Sequence, residues 1–388
     1  YPEKSAYRAR FKKPDDVLFT ENYYGYLRDA VRSNDPGLNT HSDHFGSALG
    51  HGGGYGHVYY KTAVMLHNLE YVLGEDLFLA AMQHYVEQWK VAHPYPEDFR
   101  NSIIQYTGVD LNWFFDQWLE TNKNIDYAVQ KVKKGKVGAA VTAAAIPLQP
   151  YTITLERKGS MQMPVDFIVT TKEGDTMRYY IPNGWFEKEV NEAAAPEGRV
   201  NRLALEQVNS LPRWIGWDKL NPTYTAEVLL PGKLDAVIID PSLKMADVNR
   251  LNNSNRLPLI WQFDSKVRNW PDPYHYTLNW RPDVWYNEID GIKAGMHLSG
   301  NYFNFKHIFS LSVWANTGIA QGGFYNFDGD GQGTNDGGNY EPDPFSVNFS
   351  YKTATDRILH GTDLVLKFRY LDGILGGQAG FEHRFGNN

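Results

Sequence analysis

Residues 55–119 read YGHVYYKTAVMLHNLEYVLGEDLFLAAMQHYVEQWKVAHPYPEDFRNSIIQYTGVDLNWFFDQWL, and they decide the fold class. Val64, Leu66, Leu69, Val72 and Leu73 recur at helical spacing behind Lys61, so a helix is expected there. Gly74 stops it and Glu75-Asp76 open the next, whose apolar stripe is Phe78, Met82, Tyr85 and Trp89. Pro94 and Pro96 separate that helix from a third. Glu97 and Asp98 lie in its first turn, where carboxylates suit the positive helix end. Gly108 ends the third, and Asp110 caps a last helix with Trp113, Phe114 and Trp118 as large anchors. These are core-forming helices in a row.

Upstream, a helix is expected over 20–32, with Tyr23, Tyr24, Tyr26 and Leu27. Residues 33–57 read as a long loop. Asn34-Asp35-Pro36-Gly37 is a turn signal, and Gly52-Gly53-Gly54 permits backbone conformations that a side chain forbids. Loops of this length in a compact domain are usually functional, and this one leads straight into Tyr59. It carries His41, His44, His51 and His57. They read either as a metal cluster or as the polar lining of a cleft; no regular ligand spacing relates them. HGGG at 51–54 also matches the oxyanion loop of lipases, but no G-x-S-x-G nucleophile elbow accompanies it.

Four groups of residues act together here: VYYK (58–61), the LG..LF..A...Y...W pattern of 73–89, HPYPEDF (93–99) and TGVDLNWFFDQWL (107–119). The run resembles the C-terminal half of the catalytic region of zinc aminopeptidases of the aminopeptidase N type. These are gluzincins with a thermolysin-like catalytic domain. The resemblance covers the first third of the chain. It implies a peptide substrate, and a catalytic tyrosine two residues before a lysine at the head of an active-site helix. That tyrosine is Tyr59, with Lys61 behind it; Tyr55 is expected to line the same cleft. Lys61 itself is expected as an exposed or salt-bridged helix residue. A gluzincin binds zinc through His-Glu-x-x-His, and no two of the twelve histidines here are four apart. The zinc of the intact protein is therefore expected on ligands encoded before Tyr1, the chain being an internal or C-terminal fragment, inactive alone.

The chain has 388 residues, a length that predicts about two or three domains. A net charge of −7 argues against a nucleic-acid partner bound by net positive charge. With no cysteine, disulfides, thiolate metal sites and a cysteine nucleophile are excluded. No apolar run approaches the roughly 20 residues of a membrane helix, and no signal peptide is visible.

From residue 126 the pattern turns to strands. YTITLERKG (151–159), MPVDFIVTTKEG (163–174) and DTMRYYIP (175–182) predict strands, with a hairpin turn at 173–175. YTAEVLLPG (224–232) and LDAVIIDP (234–241) predict a further strand pair, all within a β-sandwich over 126–256. Residues 184–222 read as an irregular insertion, and Asp247 and Asn249 as turn chemistry. A connector is expected over 257–273. Beyond it, six segments alternate apolar and polar residues: Tyr276, Leu278 and Trp280 opposite Thr277, Asn279 and Arg281 set the pattern. Such segments build the wall of a membrane β-barrel, but six fall short of the smallest bacterial barrels of eight. A truncated barrel over 274–388 in contact with outer-membrane lipid is expected, with a soluble sheet as the alternative. NFDGDGQGTND (326–336) matches the first half of a calcium loop but has Gly337 where the closing glutamate belongs, so a solvated loop is the other reading.

The fold expectation is thus multidomain α + β: the helical half of a thermolysin-like catalytic domain over 1–125, a β-sandwich, then antiparallel barrel-like strands. The functional expectation is part of a zinc metallopeptidase in the cell envelope of a Gram-negative bacterium, at the outer membrane, the cell surface or in the periplasm. The alternative is a non-catalytic outer-membrane surface protein whose degenerate peptidase-like domain serves binding or assembly.

Overall fold

Helix α1 (Pro14–Ala30) starts on a proline, whose missing N–H costs nothing in a first turn, six residues before the expected start. The computed structural model describes residues 14–32, 35–45, 54, 56–135, 148–187, 208–217, 219–265, 272–288, 290–303, 306–320, 326–327, 333–334, 343–355, 358–359, 361–371 and 373–383. It divides into two compact units, Tyr1–Leu257 and Pro258–Asn388.

In the first unit a π-helix, Gly56–Lys61, runs directly into α2 (Thr62–Leu73). Helices α3 (Glu75–Trp89), α4 (Pro96–Thr107) and α5 (Asn112–Glu120) follow. Gly74, Pro96 and Gly108 bound them as the sequence predicts, but α5 starts one residue later than an Asp110 cap implies, with Leu111 at the N-cap position and Asp110 accepting from the Asn112 amide at 3.0 Å. The Tyr95 amide donates to Asp98 Oδ2 at 2.8 Å at the head of α4, and Gly108, at φ +67°, closes it. Phe114, Phe115 and Trp118 of α5 are fully buried, with the Trp118 ring 5.8 Å from that of Tyr26 on α1. Helix α3 is more peripheral. Of its residues only Ala81 is fully buried, and the Phe78, Met82, Tyr85 and Trp89 stripe is half-covered. Among the described residues no helix is long and apolar enough to cross a membrane.

Two sheets complete this unit. One has the order β1-β2-β6, from Tyr127–Lys134, Gln149–Arg157 and Thr223–Leu230. The other has the order β5-β4-β3-β7, from Val208–Ser210, Thr176–Ile181, Val165–Thr171 and Leu234–Ile239. Each buries one face, as the strict alternation of covered residues along β2 and β3 shows. The segments at 224–232 and 234–241 do not pair with each other, contrary to the sequence reading. β6 joins β2 and β7 joins β3. The reason lies at the corner between them, where Glu173 of the β3–β4 hairpin accepts from the Lys233 amide at 3.1 Å and Lys172 donates to the Lys233 carbonyl at 2.8 Å. These contacts hold the chain on the second sheet, where a hairpin would have returned it to the first.

Helices and sheets of this unit are stitched by side chains. Gln117 on α5 accepts from the Gln162 amide at 2.7 Å and donates to its carbonyl at 3.1 Å. The Tyr71 hydroxyl accepts from the Asp166 amide at 2.9 Å, and Asn68 accepts from the Ala246 amide at 3.0 Å. Asp247 is more than a turn residue. Fully buried, it accepts from the amides of Asn249 and Tyr127, both at 2.8 Å, and so pins the chain near residue 247 to the start of β1.

The second unit holds a seven-stranded sheet of order β16-β15-β14-β11-β10-β9-β8. The strands are β8 (Leu259–Phe263), β9 (Tyr276–Asn287), β10 (Gly291–Tyr302), β11 (Lys306–Asn316), β14 (Phe345–Ala354), β15 (Thr362–Leu371) and β16 (Ile374–His383). A small ribbon, β12 (Asn326–Phe327) and β13 (Gly333–Thr334), interrupts the series. Six strands form an antiparallel meander; β8, inside the expected connector, adds in parallel to β9. Among the described residues β8 and β16 are edges that do not pair with each other, so the sheet is open and a closed barrel is not observed. The calcium-like stretch lies largely outside the described residues.

Candidate active-site wall

Three residues of the π-helix explain how Tyr59 is held. His57 is buried, with Nε2 3.3 Å from the Leu38 carbonyl. Its ring also lies 5.0 Å from that of Phe45. Tyr60 packs its ring where Gly25 of α1 leaves room: a Cβ there would fall 2.1 Å from Tyr60 Cδ2. Lys61 is 1% exposed, its ammonium 2.8 Å from Asp35 Oδ2, 2.5 Å from the Pro36 carbonyl and 3.4 Å from that of Thr121. Val58 and Tyr59 lie on the other flank of the turn, and Tyr59 is 60% exposed. The wider π turn, rare and concentrated at functional sites, lets the segment bury residues 57 and 61 and half-cover 60 while presenting 58 and 59.

The loop of residues 35–45 is tied to α5 as well. Leu38 and Asn39 donate their amides to the carbonyls of Trp118 and Leu119 at 3.2 and 3.0 Å, satisfying the end of that helix. A Cβ on Gly37 would meet the Leu119 carbonyl at 2.5 Å, so the close approach needs glycine. Asp35, Lys61 and the C-terminus of α5 thus form one clasp beneath the Tyr59 turn.

Burial governs the charges in that clasp. It pushes the Asp35 carboxyl up to about 6, against the opposing pull of Lys61. It also lowers Lys61, although Asp35 acts to raise it. Both partners therefore report that desolvation outweighs their attraction. Burial lowers His57 too, which keeps its imidazole neutral near pH 7.

The histidines of the loop, for which a metal cluster is one of two readings, are not gathered into a ligand set among the described residues. His41 and His44 are exposed, His57 is turned to the Leu38 carbonyl, and His51 lies outside the described residues, as does Tyr55. Among the described residues no group of three or more His, Cys, Asp or Glu could hold a metal ion. Lys61 takes the ion-paired form of its expected role, but buried. In sequence Asp35 is part of a turn, no periodicity links it to a lysine 26 positions on, and only the fold brings the two together.

Residues 53–118 match the peptidase family M1 domain. The matched span runs through the π-helix and α2–α4 to Trp118 of α5. This segment is therefore a fragment of a peptidase M1 domain, without a metal-binding group among its described residues and followed by β-sheets. No curated protein matches the chain.

Proposed function

We propose that the helical part of the first unit is one wall of a metallopeptidase active site, cleaving peptide bonds in the manner of an aminopeptidase. In this reading Tyr59 is the catalytic residue the chain contributes. Its phenol O–H donates a hydrogen bond to the carbonyl oxygen of the scissile peptide as negative charge develops there. The supporting observation is the exposure of Tyr59 on a π turn anchored through His57, Tyr60 and Lys61, inside the span that matches an M1 domain.

The M1 family is zinc-dependent, and the described residues of this chain do not fit a zinc site. We assign the metal to residues of the intact protein outside this chain, and derive no step through it. The lever left to this chain is hydrogen bonding to the oxyanion, an interaction made mainly in the transition state. Loss of one such donor lowers kcat by about 10²–10³.

Tyr59→Phe in the full-length protein tests this on peptide substrates. The expected result is a fall of that size in kcat with KM nearly unchanged. An unaltered kcat overturns the role of Tyr59. Absence of any peptide hydrolysis in the unmutated full-length protein favours the other reading, a surface protein using a degenerate peptidase-like domain for binding.

A further inference from the structure

We infer that the seven-stranded sheet of the second unit is a bilayer-facing wall, its apolar face packed against lipid acyl chains and its polar face turned to an aqueous interior. The inference is independent of the peptidase reading and rests on the sheet alone.

The pairing register aligns the alternation of every strand. Across β9, β10, β11, β14 and β15, the row Pro282, Met296, Val313, Val347 and Tyr370 lies on one face. The parallel row Trp280, Leu298, Leu311, Phe349 and Phe368 lies on the same face. Strand β8 extends it with Phe263 opposite Trp280. The face carries no charged side chain on any of the seven strands. The opposite face carries polar and charged residues in the intervening rows, Arg281, His297, Ser312, Asn348 and Arg369 among them.

In a water-soluble sheet the apolar face is the covered one. Over most of β9–β11 the relation is reversed, although Tyr276 and Tyr302 at one end of the apolar face are buried; on β15 and β16 Lys367, Arg369 and Gln378 of the polar face are open as well. Val284 is 66% and Phe381 62% exposed, whereas Lys293 and Ser346 on the polar face are 0% exposed. The sheltered face is wired with polar contacts. Lys293 is paired with Asp290 and donates to Ser346 at 3.0 Å; Asn316 donates to the same hydroxyl at 2.9 Å; His297 Nδ1 lies 2.7 Å from Ser312. These polar contacts lie on the side away from the apolar surface, the arrangement a hydrocarbon environment favours. The six strands of the meander have 10 to 12 residues, against about 9–11 for a tilted membrane-spanning strand. A protein partner would need an apolar surface continuous over seven strands; a bilayer supplies one without sequence matching. In hydrocarbon the outer edges of β8 and β16 must also be paired, so the proposal includes closure of the wall.

The absence of native cysteine makes a direct test possible. Single variants Val284→Cys and Phe381→Cys on the apolar face, and Ser310→Cys and Gln378→Cys on the polar face, are labelled with an environment-sensitive fluorophore. The full chain is then folded into phosphatidylcholine vesicles with or without bromine on the acyl chains. Brominated lipid is expected to quench the first pair at least twofold and leave the second pair nearly unchanged. Equal quenching of both faces overturns the proposal, as does recovery of the folded chain in water without lipid or detergent. As a second readout, Val284→Arg is expected to lower the folded fraction in vesicles at least tenfold and Gln378→Arg to leave it within twofold; the reverse order overturns the assignment of faces.

Discussion

Replacing Lys61 by methionine tests whether the clasp under Tyr59 is the structural device described above. The ammonium is 1% exposed and sits 2.8 Å from Asp35 Oδ2, which is itself buried. Methionine fills most of the stem volume but leaves the carboxylate without its cation and two carbonyls, of Pro36 and Thr121, without a donor. Breaking one partner of a buried ion pair typically costs about 3–5 kcal/mol. Because burial disfavours the charged form of both partners, the pair itself adds little net stability over an apolar replacement. The double variant Lys61→Met with Asp35→Leu should therefore recover most of the loss, retaining a residual of about 1–2 kcal/mol for the unpaired carbonyls. Urea unfolding followed by tryptophan fluorescence, read on the first unit's transition, supplies the four corners of the cycle. A single-variant loss below about 1 kcal/mol, or a double variant that loses the sum of the two singles, would refute the reasoning.

The same pair makes stability depend on pH. Asp35 moves from an unfolded value near 3.8 to about 6 in the fold, so the folded chain holds more protons between those values. Its contribution is fully present below about pH 4 and is lost as pH rises through 6; Asp35→Asn should flatten that slope, and an unchanged slope would remove Asp35 from the account. Gly25→Ala places a methyl 2.1 Å from the Tyr60 ring and is expected to cost about 1–3 kcal/mol. Adding Tyr60→Ala should relieve the clash, and failure to do so would locate the strain elsewhere. Gln117→Ala strips partners from both the amide and the carbonyl of Gln162, for a loss of about 1–3 kcal/mol. Hydrogen exchange at the Gln162 amide should accelerate; unchanged protection would show that the helix–sheet stitch runs through other residues.

The helices of residues 62–120 were legible because their signals are local. Gly74, Pro96 and Gly108 end or begin elements whatever surrounds them, and the anchors Trp113, Phe114 and Trp118 are buried as their spacing predicts. The start of α1 is equally local, in Pro14 followed by two aspartates, although the aromatic stretch that marks the helix begins only at Tyr23. What could not be read were partners distant in sequence. Asp35 with Lys61, Gly25 with Tyr60 and Gln117 with Gln162 are contacts the fold creates, and no short-range pattern encodes them. The exchange of partners between β6 and β7 belongs with these, since a glycine corner between two strands looks the same whether the chain returns to its own sheet or crosses to another.

The alternating strands of the second unit show a different limit. A period of two specifies that one face is apolar and the other polar, but carries no sign: it does not say which face the sheet shelters. In the first unit, β3 covers Val165, Phe167 and Val169 and leaves Asp166, Ile168 and Thr170 more open, the ordinary arrangement in water. In the second, the equivalent pattern covers Thr277, Asn279, Lys293 and Ser312 and leaves Trp280, Val284 and Met296 open. Over β9–β11 the second sheet has the same sequence grammar as β3 and, for most residues, the opposite burial. What distinguishes them is cross-strand chemistry: a polar row can be sheltered only if its members satisfy one another across strands, as Lys293, Ser346 and Asn316 do. Replacing Ser346 by valine removes the acceptor for Lys293 and for Asn316 at once. If sheltering of the polar face depends on that network, the variant should lose order in β10, β11 and β14 while the first unit's unfolding transition stays in place. A second unit that keeps its full exchange protection in Ser346→Val would mean that the inverted burial is held by the apolar face alone.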